Sequence, residues 1–119
     1  MNLGAAYYAG GKYTPAIEAF ERALALKPDS PTVWLNVGAA RNALGHLDKA
    51  IEALMKALEI DPRHRDCHYT LAVAHYKKGR PLAAMAELEM ELALHPDHKP
   101  ARAFAAKLRA VLLHEQAQG

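Results

Sequence analysis

PTVWLNVGAARNALGHLDKAIEALMKALEIDPRH, residues 31–64, sits inside a regular step. Pro28, Pro62 and Pro96 lie 34 residues apart (62 − 28 and 96 − 62), and Gly11, Gly45 and Gly79 keep the same spacing. Ala16, Ala50 and Ala84 follow it, as do Leu24, Leu58 and Leu92, with Ile17, Ile51 and Met85 as a conservative set. An alanine-rich composition aligns alanines by chance, but it does not align prolines and glycines in one register. The chain is therefore read as a repeat.

Within a unit the apolar residues Ala16, Ile17, Phe20, Ala23 and Leu24 recur at three and four positions, the helical period. Gly11, Gly45 and Gly79 stand where a helix closes in a left-handed residue. Thr14 with Pro15, and Asp48 in the next unit, read as the cap and first turn of the following helix. Ser30 before Pro31 reads as the cap of the one after. Pro28, Pro62 and Pro96 cannot continue a helix. Helices are thus expected near 1–10, 14–27, 31–44, 47–60, 64–78, 81–94 and 100–116. No alternating β-branched run calls for a strand.

Composition narrows the function. A chain of 119 residues, 51% hydrophobic and 24% charged, is one folded domain rather than a disordered segment. A net charge of +2 gives no electrostatic case for nucleic acid or a membrane surface as partner. The single cysteine, Cys67, makes neither an internal bridge nor a cysteine-based zinc site. Nothing approaches the ~18 apolar residues of a membrane span. Met1-Asn2-Leu3-Gly4 lacks the basic lead-in of a signal sequence, so a cytoplasmic location is the default expectation.

The 34-residue helix-turn-helix period, with W-x2-L-G-x2-Y, then A-x3-F, then P, resembles the tetratricopeptide repeat. The second unit shows Trp34, Val37, Gly38, Ala50, Leu54 and Pro62. The first keeps Leu3, Gly4, Tyr7, Ala16, Phe20 and Pro28, and the third Leu71, Ala72, Ala84, Leu88 and Pro96. The resemblance implies an all-α, right-handed solenoid forming a single domain over 1–119. It has about three repeats, 1–30, 31–64 and 65–98, the first truncated before Leu3, and a C-terminal capping helix, 99–116. Phe104, Leu108, Val111 and Leu112 on one face of that last helix, against Arg102, Lys107, Arg109 and Glu115, suit a cap. The opposite end has no such cover, so Leu3 and Tyr7 mark an edge that frays or finds a partner, a second protomer included.

The departures are as informative. Arg41 and His75 replace the tyrosine of the pattern, and His68 replaces its tryptophan. Glu91 replaces the alanine of Ala23 and Ala57, and is expected to meet solvent or Arg102. No catalytic motif occurs, so no enzyme activity is expected. No cofactor or metal is expected either. His64, Cys67, His68 and His75 form a conceivable metal set, but His68 and His75 occupy space-filling places of the repeat, and the spacing of a zinc protease is missing. His95 and His98, flanking Pro96-Asp97, read as solvated turn residues. Cys67 near a helix start could have a lowered pKa, though an inert small side chain is the plainer role.

In a stack of hairpins the first helices line the inner face, so the sides of those helices not used in packing are the candidate partner site. They offer Asn2 and Tyr8 in the first unit, Leu35, Asn36 and Asn42 in the second, and Tyr69, Thr70, Val73 and Tyr76 in the third, with Ala5, Ala39 and Ala43 leaving room. Asn2, Asn36 and Thr70 are equivalent by the 34-residue step. This short polar row is similar to the asparagine ladder of O-linked N-acetylglucosamine transferases and suits a peptide backbone. The alternative is that these are tolerated surface residues. Tyrosine adds contact area with few torsions to freeze. The chaperone-binding subset of the family holds terminal carboxylates with Lys, Asn and Arg. The matching places here are Met1, Ala5, Asn36, Asp66 and Thr70, of which only Asn36 fits. Asp66 would repel a carboxylate. The expected function is a non-catalytic interaction module for a protein or peptide partner, with an apolar or amphipathic segment in its groove.

Overall fold

The structure, a computed structural model, describes residues 3–118, so the expectations for Met1 and Asn2 lie outside the described residues. Its elements are α1 (Leu3–Ala9), α2 (Tyr13–Leu26), α3 (Pro31–Leu44), α4 (Leu47–Ile60), α5 (Cys67–Lys77), α6 (Pro81–Leu94) and α7 (Lys99–Gln118). Among the described residues there is no strand.

The three glycine turns are built alike. Gly11, Gly45 and Gly79 have φ of 76°, 80° and 77°, a region that costs glycine nothing. In the second turn His46 N–H donates to Arg41 O at 2.9 Å and Gly45 N–H to Asn42 O at 3.0 Å. The same pair of bonds closes α1 (Lys12 to Tyr7, Gly11 to Tyr8) and α5 (Arg80 to His75, Gly79 to Tyr76). Two otherwise orphaned carbonyls at each helix end are satisfied this way. The chain then reverses into the second helix of the hairpin.

The starts of the helices differ in detail from the expectation. Ser30 does cap α3, accepting from Val33 N–H at 3.3 Å. Pro15 lies in the first turn as expected, but Thr14 and Asp48 are not caps: α2 begins at Tyr13 and α4 at Leu47, which puts them inside the first turn too. There a proline lacks only an N–H that would be unpaired anyway, and an aspartate lies at the positive end of the helix dipole. α5 begins at Cys67 rather than near 64, because Asp66 takes a left-handed φ of 78° and breaks the helix before it.

Packing within and between hairpins uses the repeated positions. Gly38 lets α3 approach α4 so closely that a Cβ there would lie 2.6 Å from Leu54 Cγ, and Gly4 stands in the same relation to Phe20. Ala16, Ala50, Ala84, Leu54 and Leu88 are buried at these seams. Between hairpins, α3 packs on α2, α5 on α4 and α7 on α6. α3 also touches α5 directly, whereas among the described residues no two of α2, α4 and α6 lie as close together. α3 and α5 lie close while the second helices beside them splay, so the 51 × 26 × 21 Å array curves there with its first helices on the inside.

The last helix closes one end. Ala101, Ala105 and Leu108 are buried against α6. Arg102, Ala106 and Arg109 are exposed where the equivalent Trp34, Gly38 and Arg41 are buried or half-buried. A polar outer face on the terminal helix is what a solenoid end requires.

Candidate binding trough

Leu35 and Asn36 on α3, and Tyr69, Thr70 and Val73 on α5, are half-buried along the inner face, and Tyr76 is 49% exposed. Tyr69 and Tyr76 come together through a residue that the sequence reading left in the cap. Phe104 of α7 sits edge-on to Tyr76 with ring centroids 5.4 Å apart, and to Tyr69 at 6.4 Å. Phe104 follows Thr70 by the 34-residue step, so the polar row of Asn36 and Thr70 ends on an aromatic ring. That step was the available signal. Tyr8, exposed on α1, stands apart from this cluster and packs edge-on to Tyr13 at 5.3 Å. Burial, and then the neighbouring Tyr13 hydroxyl, push the Tyr8 hydroxyl above its ordinary pKa.

Asn42 is corrected. It is 4% exposed, and its Nδ2 donates to Thr70 O at 3.1 Å. The direct approach of α3 to α5 buries it as an inter-repeat tie, out of a ligand's reach. Lys77 Nζ donates to the Asn42 carbonyl at 3.1 Å and reinforces the same seam. Thr70 keeps its place, but its hydroxyl donates to Asp66 O at 2.8 Å within its own helix, which leaves the oxygen only to accept.

Glu91 is corrected as well. It is fully buried, and its carboxylate meets neither solvent nor Arg102. Oε2 accepts from Asp66 N–H at 3.2 Å and Oε1 from Tyr69 N–H at 3.1 Å. A side chain from α6 thus caps α5, whose start lacks the serine that serves α3. His98 is not solvated either: it is buried, Nδ1 accepts from Ala101 N–H at 3.1 Å to cap α7, and Nε2–H donates to Asp66 Oδ1. His98 holds the capping position of Ser30, two repeats on. His95 donates to Arg63 O at 2.9 Å, and Arg65 pairs with Asp97 at 3.2 Å, so this turn is fastened to the one before it.

The candidate metal residues are directed elsewhere. His64 faces Asp61 and Thr32, and His68 bonds Glu87 at 2.5 Å on α6. Among the described residues no group of three or more His, Cys, Asp or Glu side chains is placed to hold an ion. Cys67 is buried. Burial first, then the carboxylates of Glu91, Asp66 and Asp61, push its thiol up to about 12, the opposite of an activated cysteine. Cys67 is therefore expected to react with a thiol reagent at pH 8 only through unfolding. Labelling should be slow in buffer and accelerate along the urea unfolding curve; prompt labelling of the folded chain would contradict the assignment.

The sequence also held no hint of a cavity of about 800 Å³ that lies on the outer side between α2, α3 and α4. Leu24, Trp34, Val37, Ile51, Ala53 and Met55 form its apolar lining. Its charged rim is largely self-paired, Arg41 with Glu21 at 3.4 Å and Lys56 with Glu59 at 3.9 Å. The cavity follows from the splay of the second helices.

A family model described as TPR repeat matches residues 4–45 and 38–79, together more than half of the chain. No curated protein is similar to it by sequence. Among solved structures it is similar to the TPR domain of Arabidopsis OM64, at 26% identity over 90% of this chain and 88% of that one, with a TM-score of 0.85. The first TPR domain of human RPAP3 shares its fold at 20% identity over 98% and 91%, TM-score 0.88. So does the second TPR domain of human RPAP3, solved in complex with the HSP70 peptide SGPTIEEVD, at 23% identity over 89% and 88%, TM-score 0.82. No helix among the described residues is long and apolar enough to cross a membrane.

Proposed function

The chain belongs to the tetratricopeptide repeat family, and from that premise we propose that it is a non-catalytic interaction module whose inner trough takes an apolar or amphipathic peptide segment of a partner protein. The repeats run over 1–30, 31–64 and 65–98, with 99–116 as the cap. The observation that carries this reading is the half-exposed Tyr76 ring held edge-on by Phe104, with Val73 beside it and Asn36 across the floor. A fixed aromatic pair offers contact area at little entropic cost, and Asn36 supplies the donor and acceptor that a peptide amide needs.

The similar RPAP3 domain was solved with a peptide ending in an aspartate, and a ligand of that kind suits this trough poorly. Ala5, Asn36, Asp66 and Thr70 stand at the described clamp positions, and the one carboxylate among them is turned to His98. The segment this trough prefers presents leucine or aromatic side chains and no terminal acid. Tyr69 packs on His98 and Phe104, so Tyr76 is the better probe. Asn36→Ala with Tyr76→Ala should weaken a peptide selected from a random library by at least about tenfold, with circular dichroism unchanged. Unaltered affinity in the double variant, measured by titration calorimetry, would count against the trough.

A further inference from the structure

The three outer helices do not present the same surface. Asp48, Glu52, Lys56 and Glu59 of α4 border the outer cavity, and the 34-residue step puts Thr14, Glu18, Arg22 and Ala25 at the same places on α2 and Leu82, Ala86, Met90 and Ala93 on α6. Every charged residue has left the third set. Leu82 is 74% and Met90 51% exposed, and Ala86 and Ala93 are exposed with them. Spaced by four, four and three residues, they form one apolar stripe about 16 Å long that runs the length of α6. Ala84 and Leu88 are buried on the core side of the same helix. A helix apolar on both sides is one that something covers.

We propose that this outer stripe of α6 seats a basic amphipathic helix of a partner protein. Charge selects the occupant. α2, α4 and α6 together carry eight Asp and Glu against three Lys and Arg, whereas α1, α3, α5 and α7 carry one against six. α6 itself holds Glu87, Glu89 and Glu91 and no base. Glu91 is spent on the cap of α5 and Glu87 on His68. That leaves Glu89, exposed between Ala86 and Ala93 with no ion pair among the described residues. A helix laid on the stripe takes water from this carboxylate, so it must bring a cation to it. A second copy seated α6 on α6 sets Glu89 against Glu89 and is repelled, as is an anionic lipid surface. Shape selects the rest. Ala86 lies between Leu82 and Met90, and Ala93 one turn past Met90, which leaves two hollows seven residues apart. They take leucine at i and i+7, with Lys or Arg at i+3 or i+4 to meet Glu89. This seat is on the outer side of the array and stands whether or not the trough reading does.

The probe is an acetylated and amidated alanine-based helix of about 18 residues with that leucine and lysine spacing, titrated into the full chain labelled with nitrogen-15. A twin peptide carries glutamate in place of lysine. Saturable shifts should centre on the amides of Leu82, Ala86, Met90 and Ala93 with the lysine peptide and be absent with its twin. Leu82→Asp with Met90→Lys gives α6 the residues that α4 carries at these places, so helix content should be unchanged while the lysine peptide weakens at least about tenfold. Glu89→Gln should weaken it about threefold. Asn36→Ala with Tyr76→Ala should leave its affinity as it was. Equal binding of the two peptides, shifts confined to the trough or to the cavity beside Trp34, or none at millimolar peptide would overturn the proposal. So would a Leu82-dependent dimer of the chain alone in sedimentation equilibrium, which would give the stripe to a second copy.

Discussion

Glu91→Ala is expected to lower the unfolding free energy by about 3 kcal/mol, with loss of a helix cap and two orphaned N–H groups setting the scale. The carboxylate is fully buried, and both of its oxygens are used by the first turn of α5. Removing it strands Asp66 N–H and Tyr69 N–H in a part-buried seam, at the positive end of the helix dipole. Glu91→Gln keeps one acceptor and turns an amide N–H toward the other donor, so it should cost about half as much. Because solenoid units interact mainly with their neighbours, the loss should be local. Helix content, followed by circular dichroism in urea, should fall before the fluorescence of Trp34, the only tryptophan, which lies in the second hairpin. Coincident curves with an unchanged midpoint would show that the carboxylate does no capping.

The second large effect is at the α3–α4 seam, where one substitution should reverse its sign with its background. Leu54→Ala empties a fully buried site and should cost about 3 kcal/mol. Gly38→Ala in the native chain forces its new methyl to within 2.6 Å of Leu54 Cγ and 3.3 Å of Ala50 O. Overpacking of that order costs about 1–3 kcal/mol, against about 1 kcal/mol returned by the helix preference of alanine, so the net effect is a loss. Once Leu54 is shortened only the 3.3 Å approach to Ala50 O remains, and the same Gly38→Ala should stabilise, by less than about 1 kcal/mol. A double-mutant cycle in urea reads the coupling directly. Additive effects would mean that the two helices are not in contact through these residues.

The parts of the fold that were legible in the sequence are those where the backbone dictates the residue. A left-handed turn selects glycine, a helix end tolerates proline, and both recur at a fixed step, so hairpin number, the glycine-closed helix ends and the last helix as a cap could be read without a structure, whereas the start of α5 could not. What failed to read depends on distances between elements. Helix-face arithmetic put Asn42 in the trough, but the approach of α3 to α5 closes over it. Glu91 looked like a surface residue because carboxylates usually are. The sign to heed was internal: the third unit loses the Ser30-Pro31 signal, showing His64 and Arg65 instead, and in the same unit an alanine becomes a glutamate. His98 likewise stands at the Ser30 position, 68 residues on (98 − 30), and could have been read as a cap. Phe104 was hidden by reading α7 only as a lid. The outer cavity has no local signature, since it comes from the splay of whole helices.

The central claim is that partners are read by the inner face of α3, α5 and α7. Its most direct test is the footprint of a library-selected peptide on the nitrogen-15 spectrum of the chain. Perturbations concentrated at Asn36, Val73, Tyr76 and Phe104, by sequences without an acidic C-terminus, are the predicted result. Perturbations gathered at Trp34, Ile51 and Met55, around the outer cavity, would contradict it.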